Sequence, residues 1–426
     1  MEFPRICLVR QHLQDRHLKD IAGEVRRELE RVGFAARVRP GARIAIGAGS
    51  RGIANIAVIV KAVVDYWREH ACRPFVFPAM GSHGAATAEG QAAVLAGYGI
   101  TEAAMGCPLI SSLDVVATGG TPEGVETYMD RQAFESDGVV LVGRVKWHTD
   151  FTGTTESGLV KMGAIGIGKL AGAHRYHAAG RRLGMSQVVQ SAFRQVAGSG
   201  KILGGLAILE DAHHSTARVV AVRIEELPER EEELLAEVKA WMARIPVDPL
   251  DLLIVDEIGK TISGTGMDTK VVNRSVEGHF NCYPGLPVIT RIFLRDLSDH
   301  NDGNATGMGM ADIVSDRLLA KVNWHATYVN VLTACNPAGA RTPVHFPTDR
   351  DCLEAIAPTV GDTDPSRLRI GWIINTMRLD LAGFSENLRA EIEANPALKV
   401  ISPPFALPFD QEGGLPGLGE LAARTW

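Results

Sequence analysis

Between residues 148 and 177 the chain gathers His148, Lys161, Lys169, His174 and His177 into a glycine-rich run. The run reads Arg144-Val-Lys-Trp-His-Thr-Asp-Phe-Thr-Gly153, then Glu156-Ser-Gly-Leu-Val-Lys161, then Gly166-Ile-Gly-Lys-Leu-Ala-Gly-Ala-His-Arg-Tyr-His177. Imidazole exchanges protons near neutral pH and ligates metals. A lysine amine withdrawn from water becomes a nucleophile. Glycine allows close approach of backbone to a ligand. The mixture suits proton transfer around a bound group, with a single metal in reach. His174 and His177, three residues apart, share a face if the segment is helical. Two more polar loops are candidates: Gly49-Ser-Arg-Gly52, where Arg51 suits a carboxylate or phosphate, and Gly81-Ser-His-Gly84 around His83. Taken singly, each has an ordinary reading as a surface arginine or a structural histidine.

Distant loops of this kind need a frame that brings them together, and the hydrophobic pattern predicts one. Ala42–Gly47 and Phe75–Pro78 read as strands, each followed by a Gly-rich loop and a helix. Asn55 is placed to cap the first of these helices, which shows one apolar face: Ile56, Ile59, Val60, Val63 and Val64. The near-continuous apolar strand Gly138–Gly143 leads into the run above. This is an α/β pattern, and ligands bind beyond the carboxyl ends of such strands. Lys201–Leu209 is another strand, and Glu225–Ala243 a charged helix. After Pro246 and Pro249 the alternation restarts: strand 252–255, strand 286–294, helix 311–321 and strand 368–374. Residues 3–10 read as an edge strand. The expected architecture is two α/β domains, 1–245 and 246–426, with an active-site cleft between them. The Pro/Gly-rich tail after about 403 is expected to form an irregular strap, packed back on the first domain.

Composition narrows the class. At 426 residues, with 46% hydrophobic and 22% charged content, the chain is an ordinary globular one. A net charge of −6 without a basic block disfavours nucleic acid. Six scattered cysteines form no CxxC pair, hence neither zinc knuckle nor disulfide framework. No leader or apolar run long enough to span a bilayer is evident, so the expectation is a cytoplasmic protein without membrane contact. Gly163–Lys169 fits G-x-x-x-x-G-K, but Leu170 stands where a phosphate loop needs Ser or Thr, and no strand immediately precedes it. Gly166, Gly168 and Gly172 miss the dinucleotide spacing by one residue.

Three segments together resemble the lactate racemase family, whose members use a nickel-pincer nucleotide: Gly49-Ser-Arg-Gly-Ile-Ala-Asn55, Pro78-Ala-Met-Gly-Ser-His-Gly84, and Val145–His177. The chain is similar to a divergent branch. Ala48 stands where the founding enzymes carry Asp, Gly84 where they carry Arg, and the interval from His148 to Lys161 is longer by a few residues. The resemblance implies a pyridinium mononucleotide whose carbon and two sulfurs hold nickel. Lys161 matches the lysine bound to it through a thioamide, with Lys169, which also follows a Gly-x-Gly turn, as the alternative. His177 matches the histidine that completes a square-planar nickel, with His174 as its rival; imidazole is a suitable ligand for Ni(II). His83 and His148 match a pair of general bases, and Arg51 an anchoring arginine. Ser50, Gly153 and Lys169 fall among the cofactor contacts, and Lys260 and Arg274 are candidates to clamp a substrate carboxylate. The implied activity is racemisation or epimerisation of a small 2-hydroxy acid by hydride abstraction and return. The alternatives are a nucleotide-dependent oxidoreductase with a dissociable cofactor and a non-catalytic binder of nickel or cofactor.

Overall fold

A computed structural model describes residues 1–49, 52–361 and 364–425. The chain forms two compact units, Gln14–Met242 and a second made of Met1–Leu13 with Ala243–Trp426. Both are mixed α/β. Among the described residues no helix is long and apolar enough to cross a membrane.

The first unit is built on a five-stranded sheet in the order Arg73–Pro78, Arg43–Ala48, Gly138–Arg144, Ile202–Glu210, Thr216–Arg223. The first four strands run parallel and the last is antiparallel. Alternate side chains point to opposite faces. Ala45, Phe77, Val139 and Leu141 enter one apolar cluster; Ile44, Ile46, Val140 and Val142 enter the other. Burial on both faces explains why Gly138–Arg144 reads as an unbroken apolar run rather than an alternating one. From Arg43–Ala48 the chain goes first to Arg73–Pro78 on one side, then to Gly138–Arg144 on the other. The order therefore reverses between Arg43–Ala48 and Gly138–Arg144, and the loops bearing Gly49, His83 and His148 leave at one common edge. That is where open α/β sheets bind ligands.

Asn55 precedes the helix Ile56–Glu69 but does not cap it. Its backbone is left-handed (φ 57°), and its side chain donates to Thr216 Oγ1 at 3.1 Å instead. The charged helix starts later than its pattern suggests, at Glu229, and ends at Trp241.

The second unit has an eight-stranded sheet in the order Val344–Phe346, Ile313–Ser315, Ile289–Leu297, Leu250–Ile258, Ile370–Asn375, Arg378–Ser385, Ile6–Gln11, Leu398–Val400. Ile6–Gln11 is not an edge strand. It pairs antiparallel with Arg378–Ser385 on one side and Leu398–Val400 on the other, so residues 1–13 belong to this unit. Residues 311–321, expected as one helix, divide into the short strand Ile313–Ser315 and the helix Asp316–Ala320, because the buried Ser315 side chain accepts the Leu318 N–H as a helix cap. The tail packs on this unit's own residues: Leu415 N–H donates to Asp349 (2.8 Å) and Leu418 N–H to Asp256 (2.7 Å). It ends in a helix, Leu418–Thr425.

Candidate active site

The third loop starts from a short bridge. Lys146 and Ser157 exchange both backbone hydrogen bonds, at 2.9 and 3.1 Å, and close residues 147–156 into a hairpin-like loop. Glu156, 1% exposed, is folded into its middle. Its carboxylate accepts the His148 N–H, the Gly153 N–H (3.4 Å) and the Lys239 ammonium (2.7 Å). The His148 ring stacks on Phe151, with centroids 4.2 Å apart and planes at 28°. Its Nδ1 accepts the amides of Asp150 (3.0 Å) and Phe151 (3.3 Å). An amide can only donate, so the neutral ring carries its hydrogen on Nε2. The same Phe151 ring lies under the Lys161 amine, 5.7 Å from its centroid. His148 and Lys161 are thus neighbours through one aromatic side chain, which the residue pattern gave no reason to single out.

Lys161 ends a short helical turn, Leu159–Lys161, that continues as a π-helical turn over Met162–Gly166. Such turns are rare and frequent at functional sites. The near-match to a phosphate loop is therefore wound into a helix rather than open to cradle phosphate. Gly158 begins this turn where any Cβ would stand 2.4 Å from the carboxyl of Glu231. Glu231 reaches in from the helix Glu229–Trp241 and accepts the Val160 N–H at 2.9 Å. Burial pushes its carboxyl up to about 7, against the opposing pull of the Val160 and Leu159 amides.

His83 follows the strand Arg73–Pro78 and is half-buried. Its loop lies against the lysine-bearing segment: a Cβ on Gly81 would meet Ile165 Cγ2 at 2.9 Å and Ala173 Cβ at 3.1 Å, and one on Gly166 would meet the Ala79 carbonyl at 2.8 Å. Ala173 sits on the helix Lys169–Leu183, one turn before His177 on the same face. His177 is half-buried, whereas His174 is exposed. The segments that carry His83 and His177 are thereby packed together, as those of His148 and Lys161 are, all within the first unit.

Ser50 and Arg51 fall outside the described residues. The strand-end residues around them are held by Glu210, which is 5% exposed, accepts the Ala54 N–H at 2.8 Å and pairs with Arg144. Gly153 is where a Cβ would strike Ser186 Oγ at 2.3 Å, so its part is close packing of the loop. Lys169, expected at the cofactor, has no exposed surface. Its amine donates inward to Pro78 O (2.7 Å) and Gln91 Oε1 (2.9 Å) and faces Asp130 at 3.5 Å. Arg274, expected as a carboxylate clamp, is 3% exposed, and its guanidinium is committed inside the second unit to Asp312 (2.8 Å), Met310 O (3.1 Å) and Thr290 O (3.0 Å). Lys260, half-buried, donates to Gly264 O within its own loop at 2.6 Å. Phe151, Glu156, Gln91, Asp130 and Glu231 were missed.

No family model matches the chain, and no curated protein matches it in sequence. Solved structures do resemble it. One is lactate racemase apoprotein from Thermoanaerobacterium thermosaccharolyticum, at TM-score 0.49 and 15% identity over 86% of this chain and 94% of that one. Another is a protein from Thermotoga maritima, at TM-score 0.50 and 12% identity over 85% of this chain and 98% of that one. At 12% identity the likeness to the Thermotoga maritima protein is one of fold alone, and it extends the mixed α/β architecture over most of both chains.

Proposed function

We propose that this protein is a racemase or epimerase of a small 2-hydroxy acid, from a divergent branch of the nickel-pincer enzymes, with the cofactor held on Lys161 and His177 as the protein's ligand to nickel. One observation carries the reading: a single ring, Phe151, touches both His148 and the Lys161 amine. A side chain that holds the substrate's oxygen must reach the same substrate as the cofactor, and this contact supports that for His148.

The donor set fits the cofactor. Among the described residues no three His, Cys, Asp or Glu side chains converge into a metal cage. In this reading a metal would take His177 from the protein and its remaining ligands from the cofactor. Ni(II) held by a carbon, two sulfurs and one imidazole meets that condition. When bound, the cofactor supplies a carbon that accepts and returns hydride. The remaining work belongs to side chains. Lys161 Nζ fixes the cofactor's position, and His177 orients it from the neighbouring helix. Neutral His148 presents Nε2–H and donates to the substrate's oxygen. The hydroxyl proton passes to His83 as the C–H bond breaks, and returns from it after the carbon has presented its other face. Phe151 and the packed loop around Glu156 keep water from the exchange.

Protein produced together with the cofactor's synthesis enzymes tests the proposal by peptide mass mapping. An adduct on the Lys161 peptide is expected, lost in Lys161→Ala together with bound nickel. An adduct on Lys169, or active loaded protein with unmodified Lys161, refutes it.

A further inference from the structure

We propose that Lys169 is a positioning residue, whose buried amine locks the loop carrying His83 to the first turn of the helix carrying His177. The inference rests on the roles proposed above for those two histidines, but the lock itself is a property of the chain without cofactor.

Lys169 opens the helix that bears His177, yet its side chain runs back to another segment. With no exposed surface, its amine donates to Pro78 O at 2.7 Å and Gln91 Oε1 at 2.9 Å. Gln91 is equally buried and turns its amide to Met80 O (2.8 Å) and Gly81 O (3.2 Å). Two side chains thus hold three carbonyls of the Pro78–Gly81 loop from within. These carbonyls lie at the end of the strand Arg73–Pro78, and an apolar core residue offers them nothing.

The arrangement is costly in its backbone and in its buried ion pair, and that cost needs a reason. Lys169 adopts a left-handed backbone (φ 56°), unfavourable for a residue with a Cβ and typical of functional positions. Its ammonium is desolvated, which pulls its pKa down. Asp130, 1% exposed, is desolvated beside it, which pushes its carboxyl up. A buried ion pair is seldom the best way to stabilise a core, whereas a fixed donor is a good way to fix a loop. The loop is also pressed directly on the helix, through the contacts of Gly81 with Ile165 and Ala173 and of Gly166 with Ala79. Lys169 therefore fixes the loop that carries His83 against the start of the helix that carries His177.

The test is amide hydrogen exchange by mass spectrometry on the full chain without cofactor. Two variants are compared with wild type: Gln91→Leu, and Lys169→Met combined with Asp130→Asn so that no buried charge is stranded. Loss of a buried hydrogen bond predicts at least about tenfold faster exchange in residues 79–87, with residues 138–144 unchanged. Carbethoxylation of His83 should accelerate in parallel. In cofactor-loaded protein the variants should retain nickel while losing turnover, which a merely stabilising residue would not separate. Should the double variant fail to fold, Gln91→Leu alone decides. Unchanged exchange at 79–87 in the folded variant, or a rise shared equally by 138–144, overturns the proposal. The exchange result holds even if no nickel adduct forms on wild-type protein, so failure of the proposed function is read separately.

Discussion

Replacing Glu231 by Gln should make the protein more stable at pH 8 and leave it nearly unchanged at pH 5. Glu231 is fully enclosed at the start of the turn that carries Lys161, where its carboxyl is pushed from 4.5 to about 7 chiefly by burial. Below the unfolded value of 4.5 the carboxyl is protonated in both folded and unfolded chains and contributes no pH dependence. Between 4.5 and about 7 the unfolded chain releases its proton while the folded chain keeps it, so stability falls as pH rises. Above about 7 both are ionised and the penalty is constant. The interval from 4.5 to about 7 corresponds to about 3 kcal/mol. Gln does not titrate, and its carbonyl oxygen still accepts the Val160 N–H. The stability gap between variant and wild type should therefore widen by about 2–3 kcal/mol from pH 5 to pH 8. Urea unfolding of both proteins at the two pH values measures it, because all other titrating groups cancel in the difference. An equal gap at both pH values would mean that the carboxyl is already ionised in the fold at pH 5, and the argument from burial would fail.

Gly158→Ala should lose about 1–3 kcal/mol, because its Cβ would stand 2.4 Å from a carboxyl that has nowhere to move; thermal unfolding reads the loss, and combining it with Glu231→Ala should recover most of it. Arg274→Ala should cost about 1–3 kcal/mol by removing the buried donor to Met310 O and Thr290 O, while Asp312 keeps Arg291 and the Ile292 N–H. Unchanged stability with a raised KM for a hydroxy acid would restore Arg274 as a substrate clamp. In loaded enzyme, His83→Ala and His148→Ala should each lower turnover by about 10²–10⁴-fold while circular dichroism stays the same. Full turnover in His83→Ala would remove the proton step assigned to it.

Much of the frame was legible because backbone and burial write it into residue patterns. Gly138–Gly143 could only be a strand covered on both faces, and the repeated strand, glycine loop and helix after residue 42 placed the loops of His83 and His148 at one sheet edge. Where the pattern failed, a long-range partner decided. Ile6–Gln11 looks like an edge strand until residues 378–385 and 398–400 flank it. Asn55 looks like a cap until Thr216, 161 residues away, takes its side chain. The polarity of charged residues misled most. Lys169 reads as a ligand contact because it follows a Gly-x-Gly turn, and Arg274 through the family resemblance, while their pairing acids, Asp130 and Asp312, carry no mark in the sequence of which cation they serve.

Those inward charges share a placement. Glu210 stands behind the strand-end loop that follows Ala48, Lys169 with Gln91 behind the loop of His83, Glu156 behind the loop of His148, and Glu231 behind the turn of Lys161. Each satisfies backbone groups that the sheet and helices leave over where the chain departs from regular structure. Loops cannot bury such groups without partners, and the partners here are ionised or ionisable, which makes the hydrogen bonds stronger and the loss of any one of them more expensive. In the proposed site these backbone groups have their partners within the chain itself. The entropy of arranging four separate segments is then met during folding, and a ligand that docks among them has less to immobilise. That explains why a carboxyl is tolerated at Glu231 although burial drives it to about 7: a neutral apolar residue there would ease the strain of burial but leave the Val160 N–H, and with it the turn that presents Lys161, without a partner.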